Sequence, residues 1–167
     1  LAEARSALRL DPQDGVLEIT VMRFHTLIGR ALMARGHDPS ADIRLALQSA
    51  LRSRRLNRRE PELWLALSRI HLLRARWEMT LRHSPAIPLR EARQALTEGQ
   101  LINPRNWEFP RTESEAFEFE ADWERSMGMS STRSMLQARE RMRHAAALSP
   151  FRLNLHREIK RLDDKPI

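Results

Sequence analysis

A chain of 167 residues carrying a formal charge of +7, with no cysteine, is sized for a single domain and excludes disulfides, thiolate metal sites and cysteine nucleophiles. It contains no run of the ~18 apolar residues that a membrane-spanning helix needs and no signal peptide at its start, so no membrane insertion is expected. A cytoplasmic location fits the cysteine usage, and because Lys160 and Lys165 are the only lysines, nearly all the positive charge is arginine, which suits acidic partners and equally reflects a coding bias.

The chain superposes on itself at a shift of 46 residues: Pro12, Arg58, Pro104 and Pro150 share one column, as do Leu10, Leu56, Ile102 and Leu148, and Ala46, Ala92 and Ala138. The loop pair His37-Asp38-Pro39 and His83-Ser84-Pro85 keeps the same shift. A fixed period of this size predicts stacked supersecondary units, each of which buries its apolar face only against a neighbour. Residues 1–13 read as the tail of a preceding unit, and three units follow at 14–59, 60–105 and 106–151, with a capping helix at 152–167. The chain opens inside a helical pattern without an initiator methionine, so a piece of a longer protein is expected.

Each unit predicts a long helix, a polar loop, a second helix and a turn. Asp14, Glu60 and Asn106 signal the first-helix starts, while Pro39 and Pro88 sit near the starts of second helices, where a missing N–H costs nothing. Asp11-Pro12, Asn103-Pro104 and Ser149-Pro150 mark turns. With five glycines and no alternating β-branched runs, the class is all-α, an α-solenoid of antiparallel helix pairs. In the second unit Leu63, Trp64, Leu67, Ile70 and His71 supply the inward face. Small residues seven apart, Ala46 with Ser53, Ala92 with Gly99 and Ala138 with Ala145, let second helices approach their neighbours closely.

These residues resemble tetratricopeptide repeats. Trp64, Leu67, Ser68 and His71 stand where that family places a large residue, an aliphatic, a small residue and an aromatic. Ala92, Gly99 and Pro104, and again Ala138, Ala145 and Pro150, match its second-helix small residues and closing proline. The units exceed the family's period of about 34 residues, the excess falling between His71 and Ala92, and Glu18, Pro110 and Glu113 depart from the pattern. The run from His71 to Glu78 and the His-x-Pro loops are similar to repeat arrays that trail some bacterial serine/threonine protein kinases. The chain has no glycine-rich phosphate loop, His-Arg-Asp or Asp-Phe-Gly, so it is read as a non-enzymatic interaction module of such a signalling protein, sensor or scaffold, with no cofactor.

The resemblance implies that first helices line a concave groove. The helical stripe Ile19, Arg23, Thr26, Arg30 recurs as Leu65, Arg69, Leu72, Arg76 and as Arg111, Glu115, Glu118, Asp122, which predicts a trough basic at one end and acidic at the other. Arg23, Arg30, Arg69 and Arg76 are the candidate clamp for a protein or peptide partner with acidic groups. The competing reading pairs them with Glu62, Glu78 or other local acids. Self-association into a homo-oligomer is the alternative function.

Three further features carry weaker signals. From Glu113 to Glu124 six acids interleave with Phe117, Phe119 and Trp123, read as a solvated helix with inward aromatics ahead of a docking face for a basic partner. Arg52, Arg54, Arg55, Arg58 and Arg59 form a basic cluster suited to acidic partners or nucleic acid, the latter disfavoured by the absence of any recognition-helix motif. His37, Asp38 and His83 are read as loop caps rather than a metal site, and His25 and His71 as satisfied core histidines rather than catalytic bases.

Overall fold

The computed structural model describes Glu3, Ser6, Ala7, Leu10, Asp11 and residues 14–165. Most of the expected partial unit at 1–13, with Pro12, therefore lies outside the described residues, as do Pro166 and Ile167 of the expected cap. From Gly15 onward the chain forms α1 (Gly15–Ala34), α2 (Ser40–Leu56), α3 (Pro61–Thr80), α4 (Ala86–Ile102), α5 (Glu108–Ser126), α6 (Thr132–Leu148) and α7 (Leu153–Asp163). The described residues contain no strand.

The predicted period reappears in the backbone. Second helices start 46 residues apart at Ser40, Ala86 and Thr132, and end 46 apart at Leu56, Ile102 and Leu148. First helices end in the same register, at Ala34, Thr80 and Ser126. Each closes through one left-handed residue, Gly36 (φ 75), Arg82 (φ 59) or Gly128 (φ 71). The N–H after that residue returns to the carbonyl five residues back, His37 to Leu32, His83 to Glu78 and Met129 to Glu124, at 2.8–2.9 Å. This is the Schellman closure, which satisfies helix-end carbonyls. Arg82 makes the turn without the glycine that the other two loops use.

Helix starts follow the sequence signals with one shift. Asp14 caps α1, accepting from the N–H groups of Val16 and Leu17 at 2.7 and 3.1 Å. Glu60 gives no side-chain cap, and Pro61 opens α3. Asn106 accepts from Glu108 N–H at 3.0 Å, but the N-cap position belongs to Trp107, so α5 begins one residue late in the register.

Each first helix packs against its own second helix, and α1 packs on α3 and α3 on α5, while the backbones of α1 and α5 stay apart. That translational relation is what a solenoid requires. Ile19 and Met22 of α1, with Ile43, Ala46 and Ala50 of α2, bury Leu63, Ala66, Ile70 and Leu73 of α3. At the far end Leu155 and Leu162 of α7 are fully buried with Ala138, Met142 and Ala145. Helix α7 begins 46 residues after Trp107, so it occupies the place of a fourth first helix.

The small-residue stripe has a visible cause. A Cβ on Gly99 would lie 2.2 and 2.5 Å from Cε1 and Cζ of Phe109. The aromatic ring fills the space that a side chain at this position would need.

Candidate functional site

Because α1, α3 and α5 stand side by side, stripe residues from all three share one face of the array, whereas Ile19 and Leu65, at the heads of the first two stripes, are buried in the core. Two adjoining hollows open on that face. One, of about 400 Å³, is lined by Arg23, Arg30, Arg69, Arg111 and Glu115 together with Thr26, Leu27 and Ala66. The other, of about 370 Å³, has Arg30, Arg76 and Glu115 around an apolar floor that includes Met33, Leu72, Leu73 and Phe119. Arg30 and Glu115 border both.

The four clamp arginines divide into two kinds. Arg23 of α1 pairs with Glu62 of α3, and Arg69 of α3 pairs with Glu108 of α5. Each pair joins residues 39 apart, and the second is the first displaced by one period. They form a ladder between successive steps, so the local-acid reading holds for Arg23 and Arg69. Arg111 is likewise engaged, its Nη2 donating to Glu158 of α7 at 3.2 Å. Arg30 and Arg76 have no acidic partner among the described residues, and the Arg76 guanidinium stands 5.9 Å from the centroid of the Phe119 ring.

The expected acidic end of the trough is corrected. Glu118 is only 8% exposed, and its carboxylate accepts from Arg161 at 2.7 and 2.8 Å and from Lys165 at 2.9 Å. Burial pushes this carboxyl up, but the hydrogen bonds and charges of Arg161 and Lys165 outweigh it and hold it below the usual carboxylate range. Asp122 pairs with Arg125 and lies 4.0 Å from Lys165. Both acids are thus neutralised, and Glu115 is the trough acid left without an ion pair among the described residues.

The helix carrying the acidic run is also not a solvated one. Glu113 meets Arg141 at 3.2 Å and Glu120 meets Arg93 at 2.6 Å, on α6 and α4 respectively. Burial raises the Glu113 carboxyl, with Arg141 and Arg93 opposing. Phe117 and Ala121 point into the core as expected. The acids neutralise arginines of neighbouring helices because α5 is packed on both flanks.

Three of the five arginines of the basic cluster have partners within the chain. Arg52 turns to the buried carboxylate of Glu18, Arg54 stands 5.4 Å from the centroid of Trp64, and Arg58 lies 3.6 Å from Glu98. Arg55 and Arg59 stay exposed without an ion pair among the described residues.

His25 is satisfied as expected, whereas the expectation of a satisfied core histidine is corrected at His71. Nδ1 of His25 lies 2.7 Å from Asp42 Oδ1, and Asp38 accepts from Ser40 N–H at 2.8 Å as a loop cap. His83 lies 3.1 Å from Glu78. His71 is buried, and Glu91 Oε2 comes within 3.1 Å of its Nδ1 without hydrogen-bond geometry. Burial holds its imidazole below the usual range; Glu91 opposes this and Arg74 adds to it. Among the described residues no group of three or more potential ligands could hold a metal ion, and no helix is long and apolar enough to cross a membrane.

Sequence reasoning missed the floor of the second hollow. Leu27, Leu73 and Phe119 fall in one column of the period, and that recurrence of large apolar residues beside the arginine stripe was the available signal. No protein-family model matches this chain, and no curated protein matches it.

Proposed function

We propose that this chain is a protein- or peptide-binding repeat module whose trough holds a segment by a carboxylate on Arg30 and Arg76. The observation that carries the reading is that these two cations, among the trough arginines, face an open hollow of about 370 Å³ with no acidic partner of their own among the described residues. Guanidinium groups mounted on packed helices grip a carboxylate in a defined geometry, and Leu72, Leu73 and Phe119 offer an apolar floor to the side chain beside it. Glu115, across the hollow, suits a basic or amide group further along the ligand.

The tetratricopeptide resemblance supports the same use of inner helices. The second resemblance supports a setting within a bacterial signalling protein, where the module would serve as a docking or sensing element. The partners that Arg52, Arg54 and Arg58 already have within the chain weigh against nucleic acid.

Panning a library of short peptides with free C-termini on the chain tests the proposal. Binders should carry a carboxylate that matters, losing about tenfold or more in affinity on Arg30→Ala with Arg76→Ala, while melting stays unchanged. Failure to recover binders, or binders indifferent to both substitutions, retires it.

A further inference from the structure

The outer face of α1 is built like an internal interface, yet nothing covers it among the described residues. Leu17, Phe24 and Leu27 occupy the columns of Leu63, Ile70 and Leu73 in α3, one period later. In α3 these side chains are 0%, 0% and 3% exposed, because α1 and α2 cover them. In α5 the same columns hold Phe109 and Ala116, both fully buried, and the half-buried Phe119; beyond it they hold Leu155 and Leu162 of α7, again fully buried, and Lys165. Phe24 and Leu27, by contrast, are 38% and 59% exposed, with Ile28 beside them at 36%. The columns of Leu17 and Phe24 are apolar in all four first helices, and only in the first is the Phe24 position exposed.

A second observation identifies the occupant. The N–H of Asp11 donates to the carbonyl of Ala7 at 2.9 Å. Asn57 to Ser53, Asn103 to Gly99 and Ser149 to Ala145 make the same bond, each one period further on, and each closes a second helix. Glu3, Ser6, Ala7 and Leu10 are helical. The helix ending at Leu10 is therefore in register with α2, α4 and α6, in the place of the second helix of another pair.

We infer that the Leu17–Phe24–Leu27 face is the seat of one more helix pair of this 46-residue design, the pair whose second helix ends at Leu10. The first internal step shows one form of its contact surface: Ile19 and Met22 of the first helix, with Ile43, Ala46 and Ala50 of the second. A head-to-tail second copy fits less well. The columns of Ile19 and Met22 in α7 are Arg157 and Lys160, both exposed. Helix α5 also carries an arginine, Arg111, in the first of these columns, but Glu158 of α7 answers it, whereas the Glu158 column in α1 holds Thr20.

The test extends the chain by one step. Residues 14–46 copied ahead of Leu1 complete a full unit with residues 1–13. Hydrogen exchange of the amides in 20–31 should then slow by about tenfold or more relative to the unextended chain, and the melting midpoint should rise. Phe24→Glu with Leu27→Glu should abolish both gains in the extended chain while leaving the melting of the original chain unchanged. Equal exchange in the extended and original chains overturns the inference. So does an original chain that dimerises by light scattering and becomes monomeric on Phe24→Glu with Leu27→Glu, since a second copy would then own the face.

Discussion

Arg52 reaches from α2 to α1 and grips the carboxylate of Glu18 with both Nε and Nη2, the latter at 3.1 Å, while Nη2 also donates to Ser49 Oγ at 2.9 Å. Glu18 is 4% exposed and stands in the column that holds Trp64 in the next unit. A carboxylate has replaced an indole, and an arginine has come with it. Removing one partner of such a pair leaves a buried charge, whereas neutralising both removes the penalty. Arg52→Ala should cost about 1–3 kcal/mol, discounted for the exposure of the arginine. Adding Glu18→Gln should recover part of that loss, as read by urea unfolding. An Arg52→Ala chain as stable as the parent would show that the pair carries no weight.

Gly99 and Phe109 form a matched pair. In the columns either side the partners are Ser53 with Leu63 and Ala145 with Leu155, a larger small residue against a smaller apolar one. Gly99→Ala would place a methyl 2.2 Å from the Phe109 ring, so it should destabilise by about 1–3 kcal/mol despite the better helix propensity of alanine. Phe109→Leu in the same chain should relieve most of the strain. If thermal melting shows the two changes to be simply additive, the packing account is wrong.

Arg82 adopts φ 59 in the turn where Gly36 and Gly128 stand in the neighbouring units. A left-handed conformation costs a side-chain-bearing residue about 1–2 kcal/mol, part of which glycine returns through its greater unfolded freedom. Arg82→Gly should stabilise the fold by about 0.5–1 kcal/mol, and Arg82→Val should destabilise it. Denaturant midpoints of the two variants on the same side of the parent would contradict this.

The Glu118 cluster ties α7 to α5, and it makes the C-terminal helix sensitive to acid. Its carboxyl titrates below the ordinary glutamate value of 4.5 in the folded chain. Its contribution is complete above that value and is lost as pH falls from it through the lower folded value. Amides of 153–163 should exchange faster below this window, ahead of those in α3. Glu118→Gln should reproduce the effect at neutral pH at a cost of about 1–2 kcal/mol. Equal acid sensitivity of α3 and α7 would count against a local tether.

The helix order and the period were legible because they depend on columns: Ala46, Ala92 and Ala138 recur at the step that separates one helix pair from the next. The stripe of Arg23, Arg30, Arg69 and Arg76 was legible for the same reason, since helical spacing fixes which side chains share a face. What these arginines touch was not. The Arg23–Glu62 and Arg69–Glu108 rungs join residues 39 apart, a separation set by how one pair leans on the next rather than by any helix period. Glu118 was placed in the trough by spacing, but its neutralisation depends on Arg161 and Lys165, which belong to a segment read only as a capping helix. The shift of the α5 start to Glu108 follows from Trp107 taking up a helical backbone at the cap, where Arg152 stacks 4.3 Å from its ring centroid.

Repeats of equal length invite the assumption that any one could be cut out and the ends rejoined. The Phe109 ring forbids it. Excising residues 60–105 would set α5 directly on α2 and bring that ring against Ser53, whose Cβ and hydroxyl fill the volume that Gly99 leaves empty. The junctions are keyed, each cut to its own neighbour, so the order of the modules is written into their packing as well as into the chain.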